Sequence, residues 1–484
     1  MDPRRGHLDP KDWKAFRDVC HQVVDEMVER FQTTSSGPVW REIPEEVAQT
    51  FRDGLPEEGR PIPEVLVQIR ENLLPYTLGN THPRFFGWVN GAGTPAGALA
   101  EFLAGSINAN LGGRHHSPIL VEEQVVSWVR DLFGFPSGSS GTLMSGTSMA
   151  TVTALSVARH RATRGSDRQA GLRGQPPLVG YASRDSHHSV ADAFSLLGLG
   201  ADALRGVGLA ADGSMDPLAL ESEIRRDLEA GHRPFVVVAT VGSVTCGAID
   251  DLRRLRSLCH RYGLWLHVDG AFGAAAILAP EIAPRLAGIE TADSLAMDFH
   301  KWFHVPYDAG CVLVRDGNLH RSAFGGRPDY LTSLPSGPAS GEHWPMDLGP
   351  EMSRGFRAFK VWFTLQALGS RAVGEAVSRN CAQARALAAR VDLEPELQRM
   401  APAELNIVCF RYSPEDLEES ELNEVNRRIL MDLHARGLAV PSPIRRGDQL
   451  GIRVCLCNHR TSAEDLDLLV EAVLALGRRL LPVG

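Results

Sequence analysis

Residues 234–270 constrain the fold more than any other stretch of this chain. "PFVVVATVG" is a continuous apolar run rich in β-branched residues. "DLRRLRSLCHRYG" carries apolar residues at helical spacing, and "LWLHVDG" is a second apolar run. Strand, helix and strand in so short a span make a βαβ unit, which needs a parallel pair and a crossover helix. Neither strand alternates apolar with polar, as expected when helices cover both faces of a sheet. The expectation is an α/β fold built on a mostly parallel sheet.

The same alternation runs over residues 81–370, read as the large domain. Residues 1–80 are amphipathic and helical, as in "DWKAFRDVCHQVVDEMVERF", and proline-bearing segments interrupt them. They read as an arm. Residues 371–484 begin with the helix "GEAVSRNCAQARALAARV" and pass through "LNIVCFRYS" and "LGIRVCLCN". They end in a helix from "SAEDLDLLVEAVLAL", giving a small α+β domain.

The 484 residues are 43 % hydrophobic, enough for a large core, and the net charge of −9 comes from interspersed charges. Without a basic footprint, no nucleic-acid partner is expected. The start, "MDPRRGHLDPKDW", lacks the apolar stretch of a signal peptide, and no run approaches the ~18 apolar residues of a membrane span. A cytoplasmic protein with no membrane partner is expected. Of eight scattered cysteines only Cys455 and Cys457 are close, on one face of the strand "IRVCLC". No further ligands stand at metal-site spacing, so reduced thiols and no metal are expected.

Two motifs invite a different reading. "SGTSMAT" (145–151) resembles the nucleophile segment of subtilisin-like proteases, but a Ser–His–Asp mechanism needs a base and an orienting acid. Nothing upstream of Ser148 supplies that family's motifs for them. "NGAGTPAGALAEFLAG" (90–105) imitates a dinucleotide fingerprint, yet no second strand ending in an acid follows. A glycine-rich turn before a helix accounts for it.

Three other features fit together. Asp269 ends the strand "LWLHV", at the carboxyl edge where open α/β sheets bind ligands. The strand "SLAMDF" ends just before Lys301, so one cleft can receive both an acid and an amine. Taken singly, Asp269 suits a salt bridge and Lys301 a snorkelling stem. The "SGTS" turn adds Gly146, Thr147 and Ser148 at a helix N-terminus, a cradle for an anion when it is more than a plain N-cap. An amine for a Schiff base, an acid for a pyridinium nitrogen and a cradle for a phosphate are the needs of pyridoxal phosphate.

On these residues, and above all on "HVDGAFGAAA" and "ADSLAMDFHKW", the chain resembles the group II pyridoxal-phosphate-dependent decarboxylases. These act on aromatic amino acids, histidine or glutamate. The similarity runs from "HPRFFGW" to "CNHRTSAED" and looks like a bacterial branch. It implies fold type I, with a seven-stranded-type sheet covered by helices on both faces. It also implies a homodimer with composite active sites, in which the arm wraps the partner.

Position by position, the resemblance makes Lys301 the cofactor-bearing lysine, Asp269 the partner of the ring nitrogen and His187 the histidine stacked on the ring. Thr147 and Ser148 match the phosphate turn, with His300 as a further phosphate candidate, and Ser353 reaches phosphate from the neighbouring subunit. Arg453 matches an anchor for the substrate carboxylate, or else a domain-interface salt bridge. Phe85, Trp88 and Asn90 fall in part of the substrate pocket. Tyr330 lies in the Gly/Pro/Ser-rich stretch 321–348, which has the length of a lid. It matches the tyrosine that returns a proton to Cα after carbon dioxide leaves, where phenylalanine goes with aldehyde formation. The expected reaction is decarboxylation of a small-molecule L-amino acid to a primary amine. Transamination, aldehyde formation and carbon–carbon cleavage are the alternatives on the same fold.

Three positions depart from the family pattern. Asp298 replaces an asparagine near the phosphate and is expected to serve backbone or hydroxyl partners, since a carboxylate would repel phosphate. His188 replaces a serine beside the stacking histidine, and Val244 replaces a threonine near the cofactor. His188 is counted with the substrate-binding residues.

Overall fold

The structure, a computed structural model, describes residues 8–326, 333–341, 343–415 and 417–481. Tyr330 lies outside the described residues. In chain order the first strands are β1 (Phe85–Phe86), β2 (Ser140–Met144), β3 (Leu178–Ser183), β4 (Leu204–Val207), β5 (Arg233–Thr240) and β6 (Trp265–Asp269). They are followed by β7 (Ser294–Asp298), β8 (Gly310–Val314), β9 (Leu397–Arg399), β10 (Ile407–Tyr412), β11 (Val440–Arg446) and β12 (Gln449–Cys455).

Among the described residues, a seven-stranded sheet runs in the order β2-β8-β7-β6-β5-β3-β4. Strands β4, β3, β5, β6 and β7 are parallel, while β8 is antiparallel to both β7 and β2. Both faces are covered. Along β5, Val237 and Ala239 enter one core and Val236 and Val238 the other. Burying each of these valines contributes about 1.5–3 kcal/mol relative to exposure, which explains the unbroken apolar runs.

The helix Leu252–Tyr262 supplies Leu252, Leu255 and Leu258 to the first core. It starts where the Asp251 side chain accepts the Arg254 N–H and stops at Gly263, whose φ of 68° suits glycine. The helix Thr147–Ala162 covers the other face through Ala150, Ala154 and Val157.

A second sheet runs β1-β11-β12-β10-β9, with β1 parallel to β11 and the remaining pairs antiparallel. Helices Glu419–Ala435 and Ala463–Leu480 close its core with Ile429, Leu433, Leu469 and Val473. The long helix Arg357–Leu393 breaks at Gly369 (φ 80°) and then serves both cores. Val373, Val377 and Cys381 pack under the large sheet, and Ala384, Leu387 and Val391 under the small one. Divisions at 80/81 and 370/371 therefore cut the chain without separating the cores. Among the described residues, no helix is long and apolar enough to cross a membrane.

Candidate active site

Because β2, β3, β5, β6 and β7 run in one direction, their carboxyl ends share one edge of the large sheet. A cavity of about 340 Å³ opens there, walled by Gly146, Thr147, His187, Thr240, Asp269, Asp298 and Lys301 among others. Thr240 and Asp269 are direct partners across β5 and β6. Lys301 follows the end of β7 after a short turn, and residue 91 packs on that turn. A Cβ on Gly91 would lie 2.1 Å from the His300 carbonyl oxygen and 2.5 Å from that of Lys301. The glycine-rich segment at 90–94 thus allows a backbone to cross the lysine turn.

Lys301 Nζ stands 2.9 Å from Asp298 Oδ2. Burial disfavours the ammonium, but the charge and hydrogen bond of Asp298, joined by the charge of Asp269, more than offset it. The lysine pKa is therefore held above its usual range. Asp269 is buried, and that burial pushes its pKa up, against the Ala271 N–H at 3.1 Å from Oδ1 and the Lys301 charge. No ion pair involves Asp269 among the described residues.

The helix Thr147–Ala162 begins at Gly146, which has no side chain to cap it. Instead the Thr147 N–H donates to Asp298 Oδ1 at 2.7 Å. The hydroxyls of Thr147 and Thr240 are buried without hydrogen-bond partners among the described residues, while Ser148 is exposed at the cavity wall.

His187 is half-buried, with Nδ1 2.8 Å from Ser189 Oγ. Burial, then His188 and Lys301, lower its pKa to about 4, so it is neutral at physiological pH. The His188 ring lies 4.2 Å from that of His187, but its side chain is 77 % exposed and outside the cavity wall. His300 accepts the Ala309 N–H at Nδ1 (3.0 Å) and packs against Tyr307 at 4.4 Å. Its Nε2 is 3.6 Å from Asp298 Oδ2, and burial lowers its pKa.

Arg453 lies within β12 and is 4 % exposed. Its Nη1 donates to the Trp88 carbonyl at 2.9 Å and to Ser442 Oγ at 3.4 Å. Its Nε and Nη2 have no hydrogen-bond partner among the described residues. The Cys455 thiol beside it is a weak acceptor. Cys455 and Cys457 feel the charges of both Arg453 and Lys301, so the two cations flank one buried patch.

Trp88 is 53 % exposed, and Asn90 Oδ1 accepts the Tyr307 hydroxyl at 2.8 Å. Phe85 is buried with Val39 and Val440 in a small core, because β1 pairs with β11. Ser353 is exposed, outside this cavity wall, next to Arg354, which is buried in a pair with Glu122 at 2.5 Å.

Sequence reasoning passed over Thr240, Tyr307 and the pairing of Asp298 with Lys301. Thr240 had a signal, as the one polar residue closing "PFVVVAT" at the same edge. Tyr307 had a weaker one, an aromatic residue soon after Lys301. Among the described residues, no group of three His, Cys, Asp or Glu could hold a metal ion.

These residues fit pyridoxal phosphate. The unpaired carboxylate of Asp269 suits a cationic ring nitrogen, and the partnerless hydroxyls of Thr147 and Thr240 suit an acceptor-rich group. Lys301 supplies the amine. The fold and the site define a fold-type I pyridoxal-phosphate enzyme.

The model of the pyridoxal-dependent decarboxylase conserved domain matches residues 44–413. An aromatic-L-amino-acid decarboxylase of Bacillus atrophaeus is 32 % identical over 469 residues, covering 96 % of this chain and 95 % of that protein. A phenylacetaldehyde synthase of Arabidopsis thaliana is 29 % identical over 449 residues, covering 89 % of each. The solved structure of Oryza sativa TDC with PLP and tryptamine superposes with a TM-score of 0.90 at 22 % identity. It covers 98 % of this chain and 99 % of its own, and shows the shared fold. The chain belongs to the pyridoxal-dependent decarboxylase family and is a pyridoxal-phosphate-dependent amino-acid decarboxylase.

Proposed function

We propose that the residues gathered at this sheet edge decarboxylate an L-amino acid to its primary amine, with Lys301 and Asp269 as the working pair. Their placement at neighbouring strand ends over one cavity is the observation that carries the reading. When bound, pyridoxal phosphate supplies the electron sink for the pair released with carbon dioxide. Lys301 would hold the cofactor through its amine. Asp269, a carboxylate in a dry site, favours a proton on the facing ring nitrogen. Neutral His187 covers a ring face without adding charge. Thr147, Ser148 and His300 hold the phosphate, and Ser353 is assigned to the partner's site.

Arg453 takes the substrate carboxylate on its unpaired Nε–Nη2 edge, the geometry of a bidentate fork. Trp88 and Asn90, with Phe85 behind them and His188 at the rim, shape the side-chain pocket. Tyr330 returns the proton to Cα from a closing segment that excludes water. The purified protein is expected to show a visible cofactor band that borohydride fixes onto Lys301. Carbon dioxide release across aromatic, acidic, basic and branched amino acids would identify the substrate. A band that persists in Lys301→Ala would sink the assignment.

The similarity to a phenylacetaldehyde synthase favours one second reading, decarboxylation with loss of nitrogen as ammonia to give an aldehyde, with dissolved dioxygen as the two-electron oxidant. Product analysis decides between them. Tyr330→Phe is expected to shift the product from amine toward aldehyde.

The arm supports a homodimer. Val24, Met27, Leu99 and Phe102 are 48 %, 39 %, 52 % and 62 % exposed, and line an apolar groove of about 620 Å³ between the helices Trp13–Gln32 and Pro95–Ile107. A patch of this kind is covered in a working protein, here by a second copy. Light scattering should return twice the chain mass. A cytoplasmic location is proposed on the eight unpaired cysteines.

A further inference from the structure

Asp298 is 3 % exposed, and its two oxygens do different work. Oδ1 accepts the Thr147 N–H at 2.7 Å, a helix-capping task that an asparagine carbonyl performs equally well. Oδ2 stands 2.9 Å from Lys301 Nζ and 3.6 Å from His300 Nε2. Here only a carboxylate adds charge. The side chain is also held in place. A Cβ on Gly310 of β8 would lie 2.9 Å from Oδ1, so the neighbouring strand closes over it.

We propose that Asp298 is the counter-ion of Lys301 whenever the lysine is not bound to the cofactor, including the interval in which a substrate amine has taken its place. The proposal rests on the reading of Lys301 given above. In that exchange a bond forms between the substrate nitrogen and the cofactor's carbonyl carbon, and the bond from that carbon to Nζ breaks. The substrate enters as an ammonium and Lys301 leaves as one, so the proton count is unchanged and no outside acid is needed. A displaced ammonium left unpaired in a buried pocket carries a large desolvation cost. Asp298 offsets it and keeps Nζ close for its return.

Lys301 faces other titratable groups: His300 on its own turn, Asp269 from β6, His187 from the loop after β3, and Cys455 and Cys457 at the end of β12. Burial keeps the thiols neutral and the imidazoles uncharged. Asp269 acts from beyond ion-pair distance. The anionic partner in contact with Nζ is Asp298.

The test uses the full chain freed of cofactor and acetic anhydride as probe, from pH 7 to 11. Acetylation of Lys301 is read by mass spectrometry against the exposed Lys11 in the same molecule. In the unaltered protein the Lys301 midpoint should lie at or above that of Lys11 despite its burial, and a midpoint below it overturns the proposal. Asp298→Asn keeps the cap and removes the charge. It should raise Lys301 acetylation at pH 8 by about tenfold or more, the ratio for one unit of midpoint. An unchanged rate overturns the proposal, because a capping role alone would disturb Asp298→Ala and spare the asparagine variant. If Lys301 does not carry the cofactor, the borohydride result fails while the acetylation result stands, so the two failures are distinguishable.

Discussion

Lys301, partly buried, and Arg453, fully buried, are cations flanking the same thiol pair, yet the fold treats them in opposite ways. Lys301, at the edge of the large sheet, has a carboxylate at 2.9 Å. Arg453, inside the small sheet, has a carbonyl and a hydroxyl on one nitrogen and, for its other two, only the weak thiol acceptor of Cys455. Both lose hydration on burial, and only Lys301 recovers an anionic partner among the described residues. A cation with an internal partner keeps its place without ligand, as an attachment point must. One with an open fork gains most when an anion arrives, as a receptor for a carboxylate should.

Lys301→Ala breaks this contrast most severely. Activity should fall by about 10³-fold or more, with no covalent attachment of the cofactor. Removing the ammonium also leaves Asp298 without its cationic partner, so denaturant titration should show a loss of up to about 3 kcal/mol. Arg453→Leu is the next largest change and should move stability the other way. Replacing a partly satisfied buried cation by an apolar side chain should raise the melting temperature by about 2 °C, while kcat/KM falls roughly 10–100-fold, mainly through KM. A stability loss in both variants would show that Arg453 is satisfied inside the protein, and the contrast would collapse.

The large sheet was legible in the sequence because doubly covered parallel strands must be continuous apolar runs, and because aspartate and glycine bracket the helix between them. The meeting of Asp269 with the lysine turn followed from the same fact, since parallel strands end on one edge. Long-range pairing was not legible. The two-residue strand Phe85–Phe86 is extended by Val440 and Pro441, and no local periodicity reports a partner so far along the chain. Phe85 therefore sits in a small core rather than on the cavity wall. Nor did spacing reveal the Asp298–Lys301 ion pair, because its geometry depends on how the chain turns as it leaves β7. The buried, weakly served Nε–Nη2 edge of Arg453 is likewise a property of the packed structure, where strand partners consume some donors and leave others.

The smallest effect separates the two cations by their reach. The His187 imidazole has its pKa lowered to about 4, first by burial and then by the charges of His188 and Lys301. Arg453 is not among the causes. Unfolding releases the group to its ordinary value near 6.5. Between about pH 6.5 and 4 the unfolded chain therefore binds the additional proton, and His187 makes stability fall as pH falls through that window. In ligand-free protein, Lys301→Ala should raise the His187 midpoint by less than about one unit, because one depressing charge is gone. Arg453→Leu should leave it in place. NMR titration of the histidine ring signals, with His187→Gln for assignment, reads both. Equal shifts in the two variants would mean that both cations act on the ring-covering histidine alike. Because burial is the larger cause, His187 stays neutral above pH 6 in either variant, and no limb of the activity profile between pH 6 and 8 should belong to it.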